Sequence, residues 1–152
     1  MKTISLQIDA GKLVEAFERA PDKVRNMIRL QLKLSVRDVK EYASEHHRYT
    51  SRSGALEREG IVTMVKDNKG IIALSPRVPY AVFVHEGTKA HDIEPRNKSV
   101  LRWADGAGFN FAKRVKHQGT RPDQFLYQAA DASESRIQSR FQSALEKIIE
   151  EI

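Results

Sequence analysis

Apolar and polar residues alternate over positions 2–8, with Ile4, Leu6 and Ile8 on one side and Thr3, Ser5 and Gln7 on the other. That period of two predicts a half-buried strand. Asp9 suits an N-cap, and Leu13, Val14 and Phe17 at helical spacing predict a short helix stopping before Pro21. A longer helix is predicted from Asp22, which can cap it, to about Glu45. Val24, Met27, Ile28, Leu30, Leu34, Val39 and Tyr42 form its apolar stripe, with Lys23, Arg29, Lys33, Arg37 and Lys40 outside it. The stretch from His46 to Gly54 is polar and short of apolar anchors, so a mobile loop is expected over about 46–58.

Two β-rich runs follow, Ile61 to Val65 and Ile71 to Leu74, separated by Asp67-Asn68-Lys69-Gly70. Asn and Gly tolerate positive φ, and the spacing predicts a hairpin. Pro79 suits the first turn of a short helix and Gly87 the position just past its end, with Tyr80, Phe83 and Val84 on one face. Asp92 to Pro95 reads as extended. Ser99 to Trp103 and Asn110 to Val115 read as paired strands, and their alternation would turn the aromatics to the core and the cations to water. A final helix begins near Pro122-Asp123-Gln124, its apolar side marked by Phe125, Leu126, Ala129, Ala130, Ile137, Phe141, Leu145, Ile148 and Ile149. The expected fold is α+β over a single domain, residues 1–152: a small antiparallel sheet with long N-terminal and C-terminal helices packed on it.

Composition narrows the class. A chain of 152 residues with 40% hydrophobic and 30% charged residues can bury a core of its own. No apolar run approaches the roughly 20 residues of a membrane span, so no membrane partner is expected. The start of the chain does not read as a signal peptide, and with no Cys there is no disulfide or thiolate chemistry; synthesis in a cytosol is the simplest reading. The net charge of +6 is uneven. Residues 61–122 carry 11 basic and 5 acidic groups, whereas 123–152 carry 3 and 6.

Candidate chemistry is sparse. His85-Glu86 with His91 and Asp92 invites a metal reading, but helical zinc sites place two His one turn apart on one face. Here six positions separate them and Gly87 intervenes. A partly exposed His85 is the expectation, with Glu86 pairing to a backbone N–H or a basic group. No Ser sits in a glycine-flanked elbow, no glycine loop leads into Lys-Ser/Thr, and Gly106-Ala107-Gly108 reads as a hairpin tip. No catalytic residue, metal or cofactor is expected. The cations Arg96, Lys98, Arg102, Lys113, Arg114, Lys116 and Arg121 gather around one predicted hairpin beside Trp103, Phe109 and Phe111. They fit a partner-facing edge, or non-specific contact with DNA phosphates.

One further pattern is carried by order and spacing. Tyr80-Ala81, Glu86-Gly87-Thr88 with His85 before it, Ile93-Glu94-Pro95, and Gly119 followed by Pro122-Asp123-Gln124-Phe125-Leu126 resemble a tail-component family of tailed bacteriophages and prophages. Thr50 to Leu56 is similar to that family's Thr-Gly-x-Leu element, with extra residues between Thr and Gly. The resemblance covers about 50–130. It implies a non-catalytic virion structural protein of the neck, made in the host cytoplasm: a homo-oligomeric ring of tail-completion or head–tail joining type. Other neck and tail proteins would be its partners, with possible contact to genomic DNA. The nearest alternative is a tail-terminator ring; from another class, a basic nucleic-acid-binding module. Tyr80, Phe83, Trp103, Phe125 and Leu126 are the expected core anchors, and Glu86 and Thr88 would brace a turn.

Overall fold

The structure, a computed structural model, describes residues 4–11, 22–66 and 68–150. The short helix expected before Pro21 lies outside the described residues. Strand β1 (Ser5–Asp9) is followed by helix α1 (Asp22–Glu45), a short helix α2 (Ala55–Glu59), strands β2 (Ile61–Lys66) and β3 (Lys69–Leu74), and helix α3 (Ala81–Glu86). Strands β4 (His91–Ile93), β5 (Leu101–Ala104), β6 (Phe109–Ala112) and β7 (Val115–His117) come next, and helix α4 (Phe125–Glu150) ends the described chain. The architecture is α+β, with both long helices packed against small antiparallel sheets.

The strands do not form one sheet. Strand β3 is central in the order β1-β3-β2, with Ser5 opposite Ala73 on one side and Ile61 opposite Leu74 on the other. The β2–β3 turn works as its residues require, with Asn68 at φ 60. Strands β4 and β7 pair separately, as do β5 and β6. The β4–β7 pair went unpredicted because each strand is three residues long and the partners lie far apart in sequence.

Helix α1 buries Val24, Ile28, Leu32, Val36, Val39 and Ala43, a repeat of three and four residues that keeps one face on the core. The stripe therefore centres on Leu32, and Leu30 faces out. Each large apolar side chain so buried contributes about 1.5–3 kcal/mol. Helix α4 adds Phe125, Leu126 and Ala129 to the same core, which also takes Ile4, Leu56, Ile61, Ile72, Leu74, Val78 and Ala81. Farther along, Phe141 and Ile148 pack on a second cluster of Ala10, Val24, Ile28 and Leu32. Arg140 of α4 reaches back to Asp38 of α1, tying the two helices together across the partly buried seam.

Candidate functional site

Between the core and α4 the chain makes one long excursion, and its construction starts at α3. That helix has only six residues, so a single contact decides which face is buried. Ala81 and His85, one turn apart, meet the core, while Tyr80 and Phe83 face out. Tyr80 and Phe83 had been expected as core anchors; Val84, expected on their face, is the one that packs against the core. The small Ala81 lets the helix sit close to its neighbours, and the flat imidazole fills a slot between two aromatic rings.

His85 was expected to be partly exposed; its accessibility is 0%. Its ring lies edge-on to Phe125 at 5.1 Å and to Tyr127 at 4.7 Å. Nδ1 pairs with Glu86 Oε1 at 3.0 Å, and Nε2 has no hydrogen-bond partner among the described residues. Among those residues no three His, Cys, Asp or Glu converge as a metal group.

From Thr88 to Thr120 the chain forms an arm. Its root is a two-residue bridge: Thr88 N–H donates to Thr120 O and Thr120 N–H to Thr88 O, both at 3.0 Å, and the two hydroxyls lie 2.8 Å apart. Glycines at both sides make this approach possible. Gly87 has φ 72, and a Cβ there would come within 2.5 Å of Thr120 O. Gly119 has φ 89, and a Cβ there would collide with Thr88 O. Only glycine combines that backbone conformation with that proximity.

Beyond the root the ladder continues in one register, His91 opposite His117 and Ile93 opposite Val115. Arg114 pairs with Asp92 and, at 3.7 Å, with Glu94. Then the register slips. Residues 94–100 on one strand oppose only 113–114 on the other before Leu101 meets Ala112. Pro95, which offers no N–H to a ladder, lies in this outsized bulge with Arg96 and Lys98.

The tip is a tight hairpin. Asp105 Oδ1 accepts the Ala107 N–H at 3.2 Å, and the Asn110 amide donates to Oδ2. Those bonds, the Asn110 one foremost, hold the Asp105 carboxyl below the usual carboxylate range. Pairing places Arg102, Ala104, Phe109 and Phe111 on one face and Leu101, Trp103, Asn110 and Ala112 on the other. The Arg102 guanidinium lies 3.7 Å from the Phe109 ring centroid.

The aromatics were expected to turn inward. Instead Trp103 is 41% exposed, Phe109 58% and Phe111 62%, because the hairpin stands clear of the core and has no inward side. No residue from Gly87 to Pro122 is buried. The arm carries seven basic and three acidic side chains. Among its basic candidates, Arg102 is stacked and Arg114 is paired, while Arg96, Lys98, Lys113 and Lys116 are exposed.

The motif residues thus converge in part. Gly87, Thr88, Gly119 and Pro122 meet at the root, Glu86 just before it pairs with His85, and Ala81, Phe125 and Leu126 hold the core beneath it. Tyr80 and Pro95 stand apart from that cluster. Asp123 was missed as a functional residue. It is buried and accepts the N–H groups of Arg48 at 2.5 Å and Tyr49 at 2.8 Å, and Arg48 also donates to Pro122 O at 3.1 Å.

Asp123 therefore ties down Arg48 and Tyr49 within the stretch expected to be a mobile loop over 46–58, and the end of that stretch, from Ala55, forms α2. Tyr49 stacks on His47 and packs its edge against Phe125. Burial, then the negative charge of Glu57, pushes the Tyr49 hydroxyl well above the ordinary tyrosine range, so it remains protonated at neutral pH. The sequence did carry a signal for the root itself: the dipeptide Gly-Thr occurs at 87–88 and again at 119–120.

Compared with protein-family models, with curated proteins and with solved structures, the chain finds no match. No helix among the described residues is long and apolar enough to cross a membrane.

Proposed function

We propose that this chain is a structural, non-catalytic subunit of a tailed-phage virion, forming a homo-oligomeric ring in the neck or tail-completion region between head and tail. The observation that carries the reading is the arm: residues 88–120 project from a clamped root and expose three large aromatics with a surplus of cations. Exposed apolar groups clustered on a protruding element are typical of surfaces that become buried on assembly. The resemblance adds to this, since Gly87, Thr88, Gly119 and Pro122 of its motifs meet at the root of the arm. Virions assembled without the protein test the reading by electron microscopy. Separate heads and tails support joining, abnormally long tails move the chain to the tail-terminator position, and normal infectious particles reject both.

A second reading draws on the same outward aromatics. Phe109 and Phe111, which share a face with Arg102, could stack on bases while the exposed Lys98, Lys113 and Lys116 neutralise phosphates, as in single-strand-binding surfaces. Phosphate-driven affinity falls steeply with salt. An absence of oligonucleotide binding at low salt would dispose of this reading.

A further inference from the structure

We infer that the arm of one copy docks in the acidic groove beside α4 of a second copy, a contact that rests on the ring-subunit reading. The groove has a volume of about 280 Å³. Leu6, Val39, Ile72 and Ile137 supply its apolar lining, and Asp131 and Glu134 are its charged residues. Among the described residues no Lys or Arg lines it. The larger groove between α1 and α4 is the opposite case, with Lys23, Arg136, Arg140 and Lys147 around it. A basic arm is attracted to the first and repelled by the second.

Shape agrees with charge. The four residues of β5 span about 13 Å of strand, and the nine-residue stretch of α4 lining the groove, Ala130 to Gln138, spans about 14 Å of helix. Phe109 and Phe111 lie on the same face as Arg102, so one face presents apolar rings and a cation together. That is the complement of an apolar floor with an acidic rim. The occupant comes from another copy, because the root bridge holds the arm outward and leaves none of its residues buried on its own core. Such a contact is heterologous, arm on one side and groove on the other, the kind that makes a ring when the rotation between copies closes.

The chain has no cysteine, so two introduced thiols report the contact cleanly. Full-length chains carrying Ala104→Cys, on the same arm face but outside the docking rings, are mixed with chains carrying Gln138→Cys and oxidised. A mixed 104–138 disulfide, absent when either thiol is missing, is the expected result. Separately, Phe111→Glu and Glu134→Lys should each weaken self-association at least roughly tenfold in sedimentation experiments, with unchanged helical circular dichroism. Arg102→Glu should restore association to the Glu134→Lys chain.

Assembly that proceeds without the mixed disulfide, and is indifferent to both substitutions, would overturn the contact while leaving the ring reading intact. A chain that stays monomeric up to millimolar concentration overturns it as well. So does an arm whose Trp103 fluorescence responds to single-stranded oligonucleotide while Glu134→Lys changes nothing. Conversely, the expected disulfide together with normal particles in the absence of the protein would keep the contact and reject the phage role.

Discussion

Helix α1 and the first turns of α4 bury a side chain on nearly every turn, whereas from Gly87 to Pro122 nothing is buried at all. The two regions are ordered by different physics. The core is held by apolar area removed from water, which is non-directional and large in sum. The arm is held by ladder hydrogen bonds, a root bridge and a few charge contacts, each small after exchange with water. A lone two-stranded ribbon is marginal in water. This one therefore depends on its root and gains most from a partner that covers its rings.

The widest separation between the regions is expected from two phenylalanines. Phe125 is fully buried at the meeting point of α3, α4 and the 46–54 segment, touching His85 and Tyr49. Phe125→Ala should cost about 3–5 kcal/mol, a large share of the roughly 5–15 kcal/mol that keeps an ordinary domain folded. Phe111→Ala removes the same ring from an exposed strand and should change monomer stability by no more than about 0.5 kcal/mol. Urea denaturation of both variants decides the matter. Comparable losses would mean that the arm is part of the cooperative core.

Asp123 lies where the arm returns to α4 and ties the 46–54 segment to that point, and its removal should rank second. Asp123→Ala leaves the Arg48 and Tyr49 N–H groups without their acceptor, at about 1–3 kcal/mol for each donor kept from water. Both donors are only part-buried, which favours the low end. Amide exchange should accelerate at Arg48 and Tyr49 while the centre of α1 keeps its protection. Unchanged exchange at both amides would remove Asp123 from its anchoring role.

Much of the core side of this contrast was legible in the sequence. The helical period of α1, the positive φ at Asn68 and the stop at Gly87 rest on local rules, although the expected stripe left out Leu32 and Val36 and took in the exposed Leu30. The α+β class followed from those elements. The arm side was legible only in part. Alternation correctly puts Phe109 and Phe111 on the same face, but period two states which residues share a side and not whether anything covers that side. For α3 the pattern was too short to choose between Tyr80-Phe83 and Ala81-His85, so contact with Phe125 chose. The bond from Asp123 to Arg48 spans 75 residues, and no local rule reaches that far.

Gly119→Ala tests whether the root governs the arm. The new Cβ would meet the Thr88 carbonyl in a left-handed backbone, a strain of about 1–3 kcal/mol. Because the bridge is local, the loss should appear as opening of the arm and not as global unfolding. Faster exchange at the Val115 to His117 amides, with α4 unaffected, is the expected pattern. Equal protection before and after substitution would show that the ladder sustains itself.

The smallest effect is expected at the tip, where a proton can separate the regions without a mutation in either. Asn110 and the Ala107 N–H favour the ionised Asp105 carboxyl, which lowers its pKa in the folded arm relative to the unfolded chain. A depressed carboxylate pKa contributes stability that is present above the unfolded value of 3.8 and is lost as pH falls through the folded value. Acid should therefore loosen the tip. Trp103 reports on it directly, being the single tryptophan and the cross-strand partner of Asn110. Its emission should shift on acidification below the ordinary carboxylate range, and Asp105→Asn should already show the shifted emission at neutral pH. Helical circular dichroism of Asp105→Asn at neutral pH should match the parent, since the core does not touch this turn. Identical Trp103 spectra in parent and variant across the titration would mean that the hairpin is fixed by its strands alone, and that Asp105 is a bystander on a solvated turn.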